Sequence, residues 1–356
     1  MYFRITLKRG VKQVKNVLPL YETPIAGYLH HAFPLSIMPG HPDFQPWFYS
    51  NYIQLYCSKD FTQLDCPLNF YFYQDYNHYP LLECNRFNRE LLGEKWNFYQ
   101  AIQHAIDKGY YIVCFVDEFY IPGSRFFSKA HVSHDLMIYG YDTEHHTLHI
   151  AGFLDHKYST STIAFEDFHE AFLHADWNDL EYVKYFYLIK RNEDVSYAFN
   201  IELTIHSLED YLSADTRSHT TFFYSYKPIA FGVDVYTYLV KSVKDATERQ
   251  GTADIRPIHI LWEHKKIMAD RLSYLVRQHY ISQKDLYAGF KNVVDAVNNL
   301  RVALLKSRAT MKPVNAGFFE EKLLHAAQTE ISILRSVTDE LKSIRNSNHQ
   351  QIIIHY

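Results

Sequence analysis

Two hydrophobic periods divide this chain, and no single layer of secondary structure satisfies both. Between residues 110 and 153 the apolar residues form β-prone runs, at 110–116, 134–142 and 147–153. Pro122-Gly123-Ser124 and a turn over 143–146 interrupt them. Three such runs on short connections predict an antiparallel meander buried on at least one face. A further run over 181–189 reads as a strand closing this region. From about residue 230 the repeat lengthens to that of a helix. Pro257 opens a stripe of Leu261, His264, Met268, Leu272 and Leu275. Leu286, Phe290, Val293, Val297, Leu300 and Leu304 form a second stripe, and the third runs from Phe319 through Leu334 to Ile344. Pro313 and Gly317 lie in the break between the last two, so the pattern predicts helices on short connections.

The expected architecture is therefore α+β. It has a sheet-bearing domain over residues 1–195, a connecting segment over 196–256 and a helical bundle over 257–356. Within the first part, 2–7 suits a short strand. Five prolines between residues 20 and 50 allow only short, interrupted helices. Phe98, Ala101, Ile102 and Ala105 have helical spacing, and Asp107-Lys108-Gly109 marks that helix's end. Asp155 lies in a polar loop before the segment from Tyr158 to Thr162.

Composition narrows the function classes. There are 36 Lys and Arg against 40 Asp and Glu, a formal charge of −4. That balance supplies no phosphate-neutralising excess, so nucleic acid is not an expected partner. Arg4 and Lys8 break any signal-peptide core, and no apolar run reaches the roughly 18 residues of a membrane span. The expectation is a soluble cytoplasmic protein with no membrane partner. Cys57, Cys66, Cys84 and Cys114 show no CxxC or zinc-finger spacing, and Cys114 is expected as an inert thiol within a strand. No dinucleotide fingerprint, phosphate-binding loop or GxSxG elbow occurs, so no cofactor is expected. His30-His31 and His131, His134 and Asp135 invite a metal reading, but without paired ligand spacing no metal is assigned.

His134 carries the functional argument. It starts a strand next to the end of the preceding one, which places an imidazole at a rigid sheet edge open to solvent. Asp117 and Glu118 end that preceding strand and come within reach if the two strands pair. Asp155, after the next strand, is a third candidate for orienting the ring. On the first bundle helix, His264 reads as a core histidine with satisfied nitrogens.

The run His134-Asp135-Leu136-Met137-Ile138-Tyr139-Gly140-Tyr141-Asp142 resembles the histidine strand of papain-like cysteine enzymes. The whole layout is similar to proteins with the butirosin biosynthesis protein H N-terminal domain. Phe231-Gly232-Val233-Asp234-Val235 matches that family's glycine-containing linker helix, and Gly27-Tyr28-Leu29-His30-His31-Ala32 matches its Gly-x-His-Cys stretch. The resemblance implies a papain-like fold and acyl transfer from a carrier-protein thioester to a small-molecule or peptide acceptor. The partner would be an acyl or peptidyl carrier protein, in a nonribosomal-peptide type of pathway. It places His31 on the family histidine and Ala32 on the nucleophile, and an alanine cannot attack a thioester. The family's orienting aspartate falls on Gly152. Three explanations stay open: an engineered Cys→Ala change, an altered enzyme using His134 as general base, or a pseudoenzyme that binds carrier protein or peptide. A cysteine-peptidase-like hydrolase is a further alternative.

Overall fold

The computed structural model describes residues 14–61, 66–72, 75–91, 97–176, 181–216, 229–283 and 285–353. The expected strand over 2–7 lies outside them. The chain forms two compact units. One takes the chain up to His41 together with Asp75–Val195, and the other Pro42–Gln74 together with the chain from Ser196 onward. Strands and helices are mixed, and every strand pairing is antiparallel.

The first unit contains β1 (Lys15–Val17), α1 (Leu29–Ile37), β4 (Leu82–Asn88), α3 (Phe98–Asp107), β5 (Tyr111–Asp117), β6 (Ser133–Asp142), β7 (Thr147–Leu154), β8 (Lys157–Ala164), α4 (Phe165–Leu173) and β9 (Tyr185–Arg191). The second contains α2 (Phe44–Ser50), β2 (Leu55–Ser58), β3 (Leu68–Phe70), α5 (Ile201–Ser213), β10 (Ile229–Phe231), α6 (Val235–Glu248), α7 (Arg256–Arg277), α8 (Asp285–Thr310) and α9 (Ala316–Ile353).

In the first unit one sheet runs β4-β9-β5-β6-β7-β8, with β1 pairing to the far half of β6. The meander expected from the three apolar runs is β5-β6-β7. Ile112, Ile138 and Ile150 are cross-strand partners and share one face. There they pack with Ile102 and Ile106 of α3 and Phe168 and Phe172 of α4. Helix α3 begins because the Asn97 side chain accepts the Gln100 N–H at 3.0 Å, and ends where Gly109 takes a left-handed φ of 83°.

Residues 157–164 form strand β8, directly after the tight turn that holds Asp155. Asp155 and His156 both adopt left-handed φ, the two-residue turn that joins twisted antiparallel strands tightly. The Ser and Thr residues of β8 face solvent at the sheet's edge, so their polarity reflects position and not loop structure.

The Gly140-Tyr141-Asp142 triplet has local structural work. The β6 register shifts between Ile138 and Gly140. A Cβ on Gly140 would stand 2.8 Å from the Asn16 carbonyl oxygen of β1, closer than side chains tolerate. Tyr141 donates to the Asp107 carboxylate at 2.8 Å, and Asp142 caps the following turn by accepting the Glu144 and His145 N–H groups.

In the second unit the three apolar stripes become α7, α8 and α9, with Leu261, Met268, Leu272, Phe290, Val297, Leu304, Leu323, Leu334 and Leu341 all buried. The glycine at 232 turns the chain from β10 into α6. Its φ is 53°, and a Cβ there would lie 2.1 Å from the Tyr211 carbonyl oxygen. A three-stranded sheet, β10-β2-β3, packs under this bundle, with α7 against β3.

At the centre of the second unit sits a polar network with no exposure. Lys265 and Glu330 pair at 2.7 Å, both fully buried. The Lys265 ammonium also donates to the Tyr211 hydroxyl at 2.8 Å and to His264 Nδ1 at 2.9 Å. His264 Nε2 donates to the Ile53 carbonyl at 2.7 Å, which assigns the neutral tautomer protonated on Nε2. Tyr236 completes the carboxylate's shell at 2.5 Å. All three ammonium protons have acceptors, which is what makes a buried ion pair tolerable. His264 is thus the satisfied core histidine its stripe position predicted.

Candidate histidine–carboxylate site

Strand pairing brings the sequence candidates together as the runs imply. Val116 pairs with His134 and Asp117 with Ser133, so the end of β5 and the start of β6 meet. The two carboxylates that close β5 then divide between different histidines.

Asp117 is buried and serves His131. One oxygen lies 2.6 Å from His131 Nδ1, and the other accepts the N–H groups of Phe119 at 3.0 Å and Val132 at 3.2 Å. These bonds clasp the two ends of the 118–132 loop, while the His131 ring stacks on Phe119 with centroids 4.4 Å apart. From the sequence, His131 suggests only a metal ligand and Asp117 only a partner for His134.

Glu118 faces His134, with its Oε1 3.8 Å from Nδ1. A closer carboxylate is Asp135, the neighbouring residue, whose Oδ1 is 3.1 Å from the same nitrogen. It lies off the line a hydrogen bond needs, and Nδ1 is buried without a hydrogen-bond partner. The imidazole therefore turns one buried nitrogen towards two carboxylates. The side chain as a whole keeps 38 % of its exposure. Burial raises the Glu118 carboxyl above its ordinary range, with the His134 charge opposing. The Asp135 carboxyl is raised for the same reason. The sequence held one clue to Asp135, its adjacency to His134, but alternation along a strand argues against neighbours meeting. They meet because the Asp135 carboxylate reaches back along the strand to the His134 ring, Oδ1 to Nδ1.

Asp155 sits elsewhere. Its N–H donates to the Gly123 carbonyl at 2.8 Å, and its carboxylate lies beside Gly123. Ser124, also in this turn, is buried and donates to the Glu118 carbonyl at 2.8 Å. At Gly152 a Cβ would stand 3.1 Å from Leu136 Cδ1, so an aspartate there would have to displace that core side chain.

His31 and Ala32 lie in the first turn of α1 and both are fully buried. His30 stacks on Tyr28 with centroids 5.5 Å apart and lies 4.2 Å from His31, and burial pulls its imidazole down to about 4. Helix α1 reaches the sheet through Tyr158. That residue's ring is 6.2 Å from Phe33, and its hydroxyl donates to Ser36 Oγ at 3.1 Å. Tyr158 is the cross-strand partner of Phe153, whose ring is 5.9 Å from His134. Two aromatic rings thus bridge the helix bearing Ala32 and the candidate histidine.

The Cys114 thiol is buried and pushed up to about 12 by desolvation, so it is no substitute nucleophile. Among the described residues no three His, Cys, Asp or Glu side chains come together as metal ligands. Chemically, the arrangement offers a partly exposed imidazole that can take up a proton, with two carboxylates beside it to stabilise the cation formed. No helix among the described residues is long and apolar enough to cross a membrane. Compared with known proteins, the chain matches no protein-family model and no curated protein sequence.

Proposed function

We propose that this chain is a papain-like acyl- or peptidyl-transfer protein acting on a carrier-protein thioester, with His134 as general base and no covalent intermediate. The observation that carries the reading is the placement of His134 Nδ1 against Asp135 and Glu118 while the ring keeps an open side. In this reading the attacking amine or hydroxyl of the acceptor gives its proton to His134 and attacks the thioester carbonyl directly. The carrier thiol leaves, and the carboxylates stabilise the imidazolium in between. The aromatic bridge from α1 through Tyr158 and Phe153 supports a shared cleft for His134 and the Ala32 helix. A role in a nonribosomal-peptide type of pathway belongs to the same proposal.

The test is transfer from an acyl-loaded carrier protein to an amine acceptor, comparing the full chain with His134→Ala and Glu118→Gln. Loss of turnover in His134→Ala, with folding unchanged, supports the assignment. Equal turnover in the full chain and in His134→Ala removes it. A second reading, a pseudoenzyme that binds carrier protein or peptide, is favoured by the buried methyl of Ala32 and by Gly152 at the expected aspartate position. It predicts binding without turnover, and at most a change of affinity in His134→Ala.

A further inference from the structure

On the α3 face of the first unit's sheet, a groove of about 290 Å³ opens between the helix and strands β5 and β9. Its walls are hydrocarbon: Phe98, Ile102 and Ala105 from α3, with Ile112, Phe186 and Leu188 from the strands. The reason is geometric. Helix α3 covers β5 and β6, whereas β9 and β4 extend the sheet beyond it, leaving the apolar side chains of β9 partly roofed. The register separates this groove from Tyr158 and Phe153, because Ile112 and Leu188 pair across strands on the α3 face. Phe153 lies an odd number of residues from Ile150, which belongs to that face, and so points the other way.

One end of the groove is cationic. Lys108 lines it at the end of α3, with His104 one turn before. Lys190 shares the face of Leu188 and holds its ammonium 5.5 Å from the centre of the Tyr110 ring. Glu83, which accepts the Tyr110 hydroxyl, faces Lys190 across the β4–β9 pair. Two ammonium groups therefore stand against one carboxylate. The groove is at the small end of ligand sites, which commonly run about 300–1,000 Å³. An apolar slot of this size with a net positive end fits an amphiphile with a single short chain and an anionic head.

We propose that this groove binds a medium-chain fatty carboxylate, its chain along Phe98, Ile102 and Leu188 and its head at Lys108 and Lys190. The inference is independent of the acyl-transfer reading, since no residue of the groove belongs to the His134 site. The test is calorimetric titration of the full chain with hexanoate, octanoate and decanoate below their micellar concentrations. Each added methylene is expected to tighten binding about fourfold, the equivalent of its transfer out of water. Ala101→Trp, which fills the slot, is expected to weaken decanoate binding at least about tenfold. Lys108→Glu, an exposed change that the fold tolerates, is expected to weaken decanoate while leaving methyl decanoate unchanged. A flat response along the chain-length series overturns the proposal, as does decanoate binding unaffected by Ala101→Trp or equal losses of acid and ester in Lys108→Glu.

Discussion

Removing one member of the Lys265–Glu330 pair is expected to be among the costliest single changes in this protein. In Lys265→Met the Glu330 carboxylate keeps only the hydroxyls of Tyr236 and Tyr211, and His264 Nδ1 loses its donor. Stranding a buried charge costs about 3–5 kcal/mol, and an orphaned acceptor adds about 1 kcal/mol. Against a total stability of about 5–15 kcal/mol this is a large fraction. Glu330→Leu strands the ammonium instead. It costs somewhat less, because burial already lowers the Lys265 pKa and eases its discharge. The double variant Lys265→Met, Glu330→Leu removes both charges and leaves three neutral polar groups, at about 1 kcal/mol each. Its cost, about 3 kcal/mol, should fall at least about 2 kcal/mol below the sum of the singles. Urea unfolding of the four proteins, followed by far-UV ellipticity with m values compared, measures each term. Either single variant costing under about 1 kcal/mol, or additivity within about 0.5 kcal/mol, would refute the account of the network as a coupled unit.

Four other outcomes are expected. His30 and His264 are held neutral by burial, so the unfolded chain binds protons at these positions that the folded chain does not. The His30 contribution is complete above pH 6.5 and is lost as the pH falls towards about 4, and that of His264 is lost in the same direction. His30 adds a slope of about 1.4 kcal/mol per pH unit within that window, and His30→Gln should flatten the stability–pH curve by that amount. Gly232→Ala should lower stability by about 2 kcal/mol or more in thermal unfolding, from its left-handed φ and the Tyr211 carbonyl beside it. Gly140→Ala should release β1, read as faster hydrogen exchange at Leu18, whose N–H donates to the Tyr139 carbonyl. Asp117→Asn should loosen the 118–132 loop, read as faster proteolysis there, without changing the pairing of β5 with β6.

What could be read in the sequence divides along physical lines. The meander and the three bundle helices follow from periodicity, since residues such as Ile138 and Leu272 are buried by position along their own element. The end of α3 was legible because Asp107-Lys108-Gly109 spells a left-handed stop. Strand β8 was not legible, because an edge strand needs no apolar face and its Ser and Thr residues resemble loop. The separation of residues 42–74 from their neighbours was equally hidden, because β2 and β3 find their partners through β10, well over 100 residues later. At the site, the approach of Asp117 and Glu118 to β6 followed from strand pairing. Which carboxylate each histidine takes depends on side-chain rotamers, which the strand pattern does not specify. Lys265 and Glu330 gave no signal, because each sits alone in a stripe and only the packing of α7 against α9 makes them partners.

The chain's allocation between its two units has a consequence for how the protein is made and cut. Trp47, Leu55 and Phe70 emerge early in synthesis but belong to the second unit, whose β10 strand and α7 helix follow much later. Until residue 231 has left the ribosome, β2 has an unpaired edge. A fragment ending at residue 195 would carry that orphaned segment, and one starting at 196 would lack it. Neither half is a portable module, and dissection at the apparent boundary should yield aggregation-prone pieces where two independent folds would yield soluble ones.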